Sequence, residues 1–204
     1  RSHPFKTMLP GEFNRYNMLA AIATAEVLGV KPVIWKRAVS TFIGVIGRME
    51  VVAKKPCMVI VDFAHTPNAL DNALKTVRKM TKKRVIHVFG SAGLRDRSKR
   101  PMMGAASAAY ADISIITEED YRTEDVETII SEIASGIPDG KTVFRFPNRH
   151  DAIAFALQTA QIGDVVIITG KGHEKSLCRG TIEYPWSDQK EAKNILKSLK
   201  LYAS

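Results

Sequence analysis

Cysteine is nearly missing from this chain: Cys57 and Cys178 are the only two among 204 residues. That is too few, and they stand too far apart, for a disulfide framework or a cysteine metal site, so both read as reduced thiols. Long apolar runs are missing too. None approaches the roughly 20 residues of a membrane span, and the N-terminus has no signal-peptide pattern, so a cytoplasmic protein with no membrane partner is expected. A complete P-loop is also lacking. "GIPDGKT", Gly136–Thr142, comes close, but three residues separate Gly136 from Gly140 where the pattern needs four. Its flanks are wrong as well, since it follows a helical pattern and precedes a strand, whereas a phosphate grip follows a strand and opens a helix. Lys141 therefore reads as a solvated lysine. The chain opens on Arg1 rather than methionine, as expected of a piece of a longer protein.

What is present is the composition of an ordinary globular protein, 45% hydrophobic and 25% charged, with enough chain for a real core. Thirty Lys and Arg against 21 Asp and Glu give a formal charge of +9. Part of that excess is a solvated helix face: Lys190, Lys193, Lys197 and Lys200 recur at helical spacing opposite Ala192, Ile195, Leu196 and Leu199. A second cluster, Arg95, Arg97, Lys99 and Arg100, is open to a different reading. Small anionic ligands explain it as well as nucleic acid does.

"FNRYNMLAAIATAEVLG" reads as an amphipathic helix closed by Gly29, and "KPVIWKRAVSTF" as a second helix. At "GVIGRMEVV" glycine and β-branched residues take over, which places a boundary near Gly47. From there strand and helix alternate. "CMVIVDF" is a continuous apolar run of the kind buried in a parallel sheet, and "RVIHVFG", "DISIIT", "TVFRF" and "DVVIITG" read as the strands that follow. The intervening helices are expected to start at Thr66-Pro67, near Ser98, near Thr123 and at Asn148. A hairpin-like "RGTIEYPW" and the basic helix close the chain. Repeated βα units predict an α/β fold with a Rossmann-like, doubly wound, mostly parallel sheet, helices on both faces and a short helical segment in front.

Loops leaving the C-terminal ends of such strands share one edge of the sheet, where ligands of these folds bind. Here they are "DFAHTP", "GSAGLRDRSKRP", "TEEDYRTED" and "TGKGHEKS", all rich in ionisable groups. Gly90 and Gly93 are expected to let backbone approach a ligand, and Arg100 to take a carboxylate or phosphate bidentately. Glu118, Glu119, Asp120 and Glu174 suit an ammonium group. Together they would fit an amino acid. Taken singly, each has a plainer use: Asp62 as a helix cap, His65 or His173 as a hydrogen-bonded structural histidine.

"GEFNRYNMLAAIA", "GRMEVV", "VDFAHTPNAL", "FGSAGLRDRSKRPMMG" and "ITGKGHE", in this order and spacing, resemble the C-terminal part of a Mur ligase, over nearly the whole chain. The resemblance implies that residues 1–47 are the tail of a central ATPase domain and 48–204 the C-terminal Rossmann-like domain. It implies an ATP-dependent ligase that adds the third amino acid to UDP-MurNAc-L-Ala-D-Glu through an acyl phosphate, with ATP and Mg²⁺ held mainly by the central domain. Asn17, Arg48, Asp62 and His65 would contact the nucleotide. Arg100, Glu119, Asp120, Arg122, Gly170 and Glu174 would hold the incoming amino acid. No catalytic residue or metal ligand is assigned within these 204 residues, and a monomer without nucleic acid is expected. Where the family commonly has Asp-Asn-Pro-Arg for diaminopimelate, this chain has Glu119-Asp120-Tyr121-Arg122. The added carboxylate points to a basic amino acid such as lysine or ornithine as an alternative to diaminopimelate. Other readings are a folylpolyglutamate or cyanophycin synthetase, or a noncatalytic module that binds anionic ligands or nucleic acid.

Overall fold

All five expected strands form in one sheet. The computed structural model describes residues 4–199. In it, β1 (Glu50–Ala53), β2 (Met58–Asp62), β3 (Val85–Phe89), β4 (Ile113–Thr117), β5 (Thr142–Phe146) and β6 (Val165–Thr169) lie in the order β1-β2-β6-β3-β4-β5. Only β1, on the edge, runs antiparallel; every other neighbouring pair is parallel. Between β2 and β3 the chain leaves a gap that β6 later fills. The direction of winding therefore reverses in the middle of the sheet, the place where α/β folds open a crevice beyond the strand ends.

The inner strands β2, β3, β4 and β6 are buried because both of their faces are covered, whereas the edge strand β5 leaves Thr142, Phe144 and Arg145 exposed. Helices α3 (Pro67–Met80), α4 (Lys99–Tyr110) and α5 (Val126–Ala134) pack in sequence on one face. On the other, α6 (Arg149–Thr159) and α7 (Asp188–Ser198) pack together over Val59, Val61, Ile86, Val88, Val166 and Ile168. Between β6 and α7 stands a separate hairpin of β7 (Ser176–Arg179) and β8 (Ile182–Pro185). On α7 Lys190, Lys193 and Lys197 are exposed while Ala192, Ile195 and Leu196 are buried; Lys200 lies outside the described residues. The chain divides into two compact units, Arg1–Val45 and Ile46–Ser204. In the first, α1 (Glu12–Val27) and α2 (Pro32–Thr41) bury Met18, Ile22, Trp35 and Val39.

Local chemistry sets the helix starts. Thr66 Oγ1 accepts the Ala69 N–H at 3.3 Å ahead of Pro67, and Asn148 Oδ1 accepts that of His150 at 2.8 Å. The start expected near Thr123 moves to Asp125, whose Oδ2 accepts from Thr128 N at 2.8 Å. That leaves Glu124 outside the helix and free for another task. Gly136 follows α5 as expected, but its φ is not left-handed. A Cβ there would stand 1.8 Å from Pro101 O, so glycine is required for the approach of α4. "GIPDGKT" is thus a helix-to-strand turn, and Lys141 is exposed.

Two buried polar groups fasten the layers. Arg149, at the start of α6 and fully buried, donates from Nε and Nη2 to the two carboxylate oxygens of Asp188, both at 2.8 Å. It also donates to Thr169 O at 2.8 Å and Glu118 O at 3.1 Å, and Trp186 Nε1 completes Asp188 Oδ1 at 2.8 Å. On the opposite face His87 bridges Ser107 Oγ (2.9 Å) and Thr169 Oγ1 (3.0 Å) and stacks on Phe89. Burial first, and then the Arg149 charge, push its pKa from 6.5 down to about 3, so the imidazole is neutral.

Truncating one partner of a buried ion pair strands the other charge. Asp188→Ala is therefore expected to lower the unfolding free energy by about 3–5 kcal/mol, read from urea denaturation, while Lys190→Ala on the same helix leaves the midpoint in place. His87 generates a pH dependence. Between its folded and unfolded pKa values the unfolded chain binds the extra proton. Its contribution is thus complete above about pH 6.5 and lost as pH falls toward 3, at up to about 1.4 kcal/mol per pH unit. His87→Asn should flatten the stability curve in that window; an unchanged slope would assign the acid sensitivity elsewhere.

Candidate functional site

The loops after β2, β3, β4 and β6 meet at one edge of the sheet around a crevice of about 450 Å³. Its walls are Phe63, His65, Thr66, Ala92, Arg95, Asp96, Lys99, Glu119, Asp120, Arg122, Gly170 and Glu174. The loops reach one another because small residues stand at their crossings. A Cβ on Gly90 would lie 2.4 Å from Thr117 O, and one on Gly93 2.1 Å from Tyr121 O. Both glycines expected to face a ligand instead let the loop after β3 lie against the loop after β4. Gly93 N donates to Asp120 O at 2.8 Å across the same crossing.

Arg122 is held by its backbone as well as its side chain. Its φ is 53°, a left-handed conformation unusual for an arginine. Its N–H and C=O engage Cys178 O and Gly180 N of the hairpin at 3.2 and 2.7 Å. Nη1 donates to Gly93 O at 2.9 Å, which fixes the guanidinium at the crevice wall. Asp120 is also anchored. Its Oδ1 accepts from Lys171 Nζ at 2.7 Å and Cys178 N at 2.9 Å, so its charge is already paired within the protein. Lys171 also contacts Glu174 Oε2 at 2.5 Å. Burial alone would lower the Lys171 pKa, but Asp120 and Glu174 outweigh it and hold the ammonium above its usual value.

Glu119 is buried, and among the described residues its Oε2 has no hydrogen-bond partner. Desolvation raises its pKa against the pull of Arg149, Lys171, Lys99 and His65. Oε2 lies so close to Gly170, itself at φ 107°, that a Cβ there would stand 2.6 Å away. His65 sits on the wall with Nδ1 2.8 Å from Phe63 O, and Lys99 Nζ donates to His65 O at 3.0 Å.

The remaining expected residues fall elsewhere. Arg100 is fully buried and does not line the crevice. The carboxylate it takes bidentately belongs to Glu124 (Nη1 to Oε1 2.7 Å, Nη2 to Oε2 2.8 Å), with Glu132 Oε2 at 2.6 Å. The Arg100 hydrogen bonds, with that from Leu94 N, draw the Glu124 pKa down to about 2. Glu118 is likewise spent on Arg179, at 2.6 and 2.9 Å, and on Arg149 N. Asp62 caps no helix; its oxygens accept from Met49 N at 2.7 Å and Ala64 N at 2.8 Å. Arg48 is exposed, 4.5 Å above the Phe63 ring. Asn17 lies in the first unit on the exposed side of α1.

Of the basic cluster after β3, Arg95 and not Arg100 is the arginine that joins Arg122 on the crevice wall. Helical phase separates the two: Arg100, Met103, Gly104, Ser107 and Ala108 form the buried stripe of α4, an i, i+3, i+4, i+7, i+8 pattern readable from sequence. Arg95 precedes the helix, and its backbone neighbour Leu94 (φ 55°) donates to Glu124 Oε2 at 2.9 Å. Among the described residues no group of three or more His, Cys, Asp or Glu is placed to hold a metal ion, and no helix is long and apolar enough to cross a membrane.

Fold and site together define a parallel α/β domain with a strand-end crevice whose cations (Arg95, Lys99, Arg122) and carboxylates (Asp96, Asp120, Glu174) suit a small zwitterionic ligand. Residues 47–172 match the family described as Mur ligase, glutamate ligase domain, and the chain belongs to that family. It is 43% identical over 196 residues to a UDP-N-acetylmuramoyl-L-alanyl-D-glutamate–2,6-diaminopimelate ligase of Aquifex aeolicus, covering 96% of this chain and 40% of that one. A UDP-N-acetylmuramyl-tripeptide synthetase of Roseiflexus is 43% identical over 197 residues, covering 94% and 39%. A solved diaminopimelate ligase superposes with a TM-score of 0.76 at 35% identity, over 96% of this chain and 40% of that one. The chain thus spans about 40% of the length of these relatives.

Arg100→Leu is expected to cost about 3 kcal/mol of stability by leaving Glu124 with an unpaired charge. Arg95→Ala should leave the urea midpoint in place and weaken capture of carboxylate-bearing ligands. Equal destabilisation by the two would reject this division.

Proposed function

We propose that this chain is the amino-acid-docking and nucleotide-contacting part of an ATP-dependent peptide ligase of peptidoglycan synthesis. Its partners would be UDP-MurNAc-L-Ala-D-Glu, ATP and a free amino acid. The observation that carries the reading is the meeting of Arg95, Arg122 and Glu174 around Gly170 in one crevice. Arginine suits the carboxylate of an incoming amino acid and glutamate its ammonium, while glycine lets backbone approach closely. In this reading residues 1–47 belong to a central ATPase domain and 48–204 to the docking domain.

ATP and Mg²⁺ would be held mainly by that central domain, where Mg²⁺ neutralises charge during phosphoryl transfer. The residues here fit the periphery of the nucleotide. Arg48 is exposed over Phe63 and His65 lines the wall. The carboxylate of the dipeptide becomes an acyl phosphate, and the amine of the docked amino acid attacks it with loss of phosphate. The chain's own task is orientation, which converts a bimolecular encounter into a near-attack arrangement. A cytoplasmic monomer fits this role.

Diaminopimelate is favoured over lysine or ornithine. A plain basic amino acid would call for a free carboxylate at Asp120, and that carboxylate is paired with Lys171 at 2.7 Å. The relatives' names point the same way. The test is amino-acid-dependent phosphate release by the full-length protein with ATP, Mg²⁺ and UDP-MurNAc-L-Ala-D-Glu. Diaminopimelate should support turnover at least tenfold better than lysine or ornithine, and the 204-residue chain alone should not turn over. Release indifferent to the amino acid would remove the reading.

A further inference from the structure

Lys171 lies beneath the crevice rather than on its wall. Its side chain is 1% exposed, yet its ammonium touches two carboxylates that do line the wall, Asp120 at 2.7 Å and Glu174 at 2.5 Å. The two acids are used differently. Asp120 is the more enclosed, 15% exposed, with Oδ1 shared between Lys171 and Cys178 N and Oδ2 4.0 Å from Arg122 Nη2. Glu174 is 39% exposed and engages Lys171 through one oxygen, which leaves the other to the crevice.

A ligand therefore meets a wall whose charge depends on a residue it never touches. With Lys171 in place, Arg95, Lys99 and Arg122 face carboxylates whose charge is partly cancelled from below. Without it, Asp120 and Glu174 would present two uncompensated negative charges side by side. We propose that Lys171 is the specificity-determining residue of this crevice. By neutralising Asp120 from beneath, it makes the site select an amino acid whose far end carries a carboxylate beside its ammonium over one whose far end is an ammonium alone. This rests on the amino-acid-docking reading and adds to it a residue that acts through its neighbours. The Asp120–Lys171 pair thus serves as a neutral unit at a position where Asp120 by itself would attract bare cations.

The experiment is an NMR titration of the protein with meso-2,6-diaminopimelate and with L-lysine, following the amides of Arg95, Arg122 and Gly170. The wild type should bind diaminopimelate at least tenfold more tightly than lysine, about 1.4 kcal/mol. Lys171→Met should cut that ratio at least tenfold, and Lys171→Arg should retain it. Asp120→Asn combined with Lys171→Met should restore part of it, because the charge at Asp120 is removed with its partner while that of Glu174 stays uncompensated. If Lys171→Met does not fold, Asp120→Asn decides the matter: with Lys171 unopposed at that position, the preference for diaminopimelate should rise. A folded Lys171→Met or an Asp120→Asn variant with the wild-type ratio overturns the inference and leaves the docking reading intact. Binding of neither amino acid by the wild type, with no shift at those amides, overturns the docking reading and this inference together.

Discussion

The buried pair of Arg149 and Asp188 is the fastening on which the functional edge of this molecule depends. One guanidinium, wholly removed from water, reaches the end of β6 through Thr169 O, the residue after β4 through Glu118 O, and the start of α7 through Asp188. These elements are far apart in sequence and carry two of the four loops that build the crevice. Such a pair adds little net stability over an apolar substitute. Its value lies in geometry, because a buried arginine with its donors satisfied tolerates only one arrangement of its acceptors.

Above that fastening the loops lean on one another rather than on the sheet. Gly90 and Gly93 remove the Cβ atoms that would push the loop after β3 away from the loop after β4. Arg100 and Glu124 then tie the same two loops by a bidentate bond. Arg95 and Arg122 owe their placement to these contacts: one follows Leu94, pinned by Glu124, and the other is held in a left-handed backbone by the β7–β8 hairpin. The strain of Leu94 is offset by its N–H bond to Glu124 and that of Arg122 by hydrogen bonds at both its N–H and C=O, as expected where a fold holds functional side chains in position.

The charges of the crevice fall into two layers. Arg95, Lys99, Arg122, Asp96 and Glu174 reach the wall, where partial solvation leaves them available to a ligand. Beneath them Lys171 and Arg149 compensate carboxylates that burial would otherwise neutralise. Glu119 is the exception: among the described residues its Oε2 has no hydrogen-bond partner, and desolvation raises its pKa. The wall's character therefore cannot be read by summing formal charges along a loop.

Much of the fold is legible in the sequence. Apolar runs without alternation implied a sheet covered on both sides, and Thr66-Pro67 and Asn148 marked helix starts, because these signals are local and physical. The clustering of ionisable residues after strands was legible for the same reason, since parallel strands send all such loops to one edge. Which arginine reaches the crevice and which glutamates are consumed internally was not. Arg100 and Glu118 have the residue types of a binding site and are spent on Glu124, Glu132 and Arg179, partners 24 to 61 residues away. The sequence by itself determined the layered α/β framework and the edge where chemistry collects. Only the tertiary structure decided which charges remain free there, because pairing between buried ions depends on distances of a few ångströms that no spacing along the chain encodes.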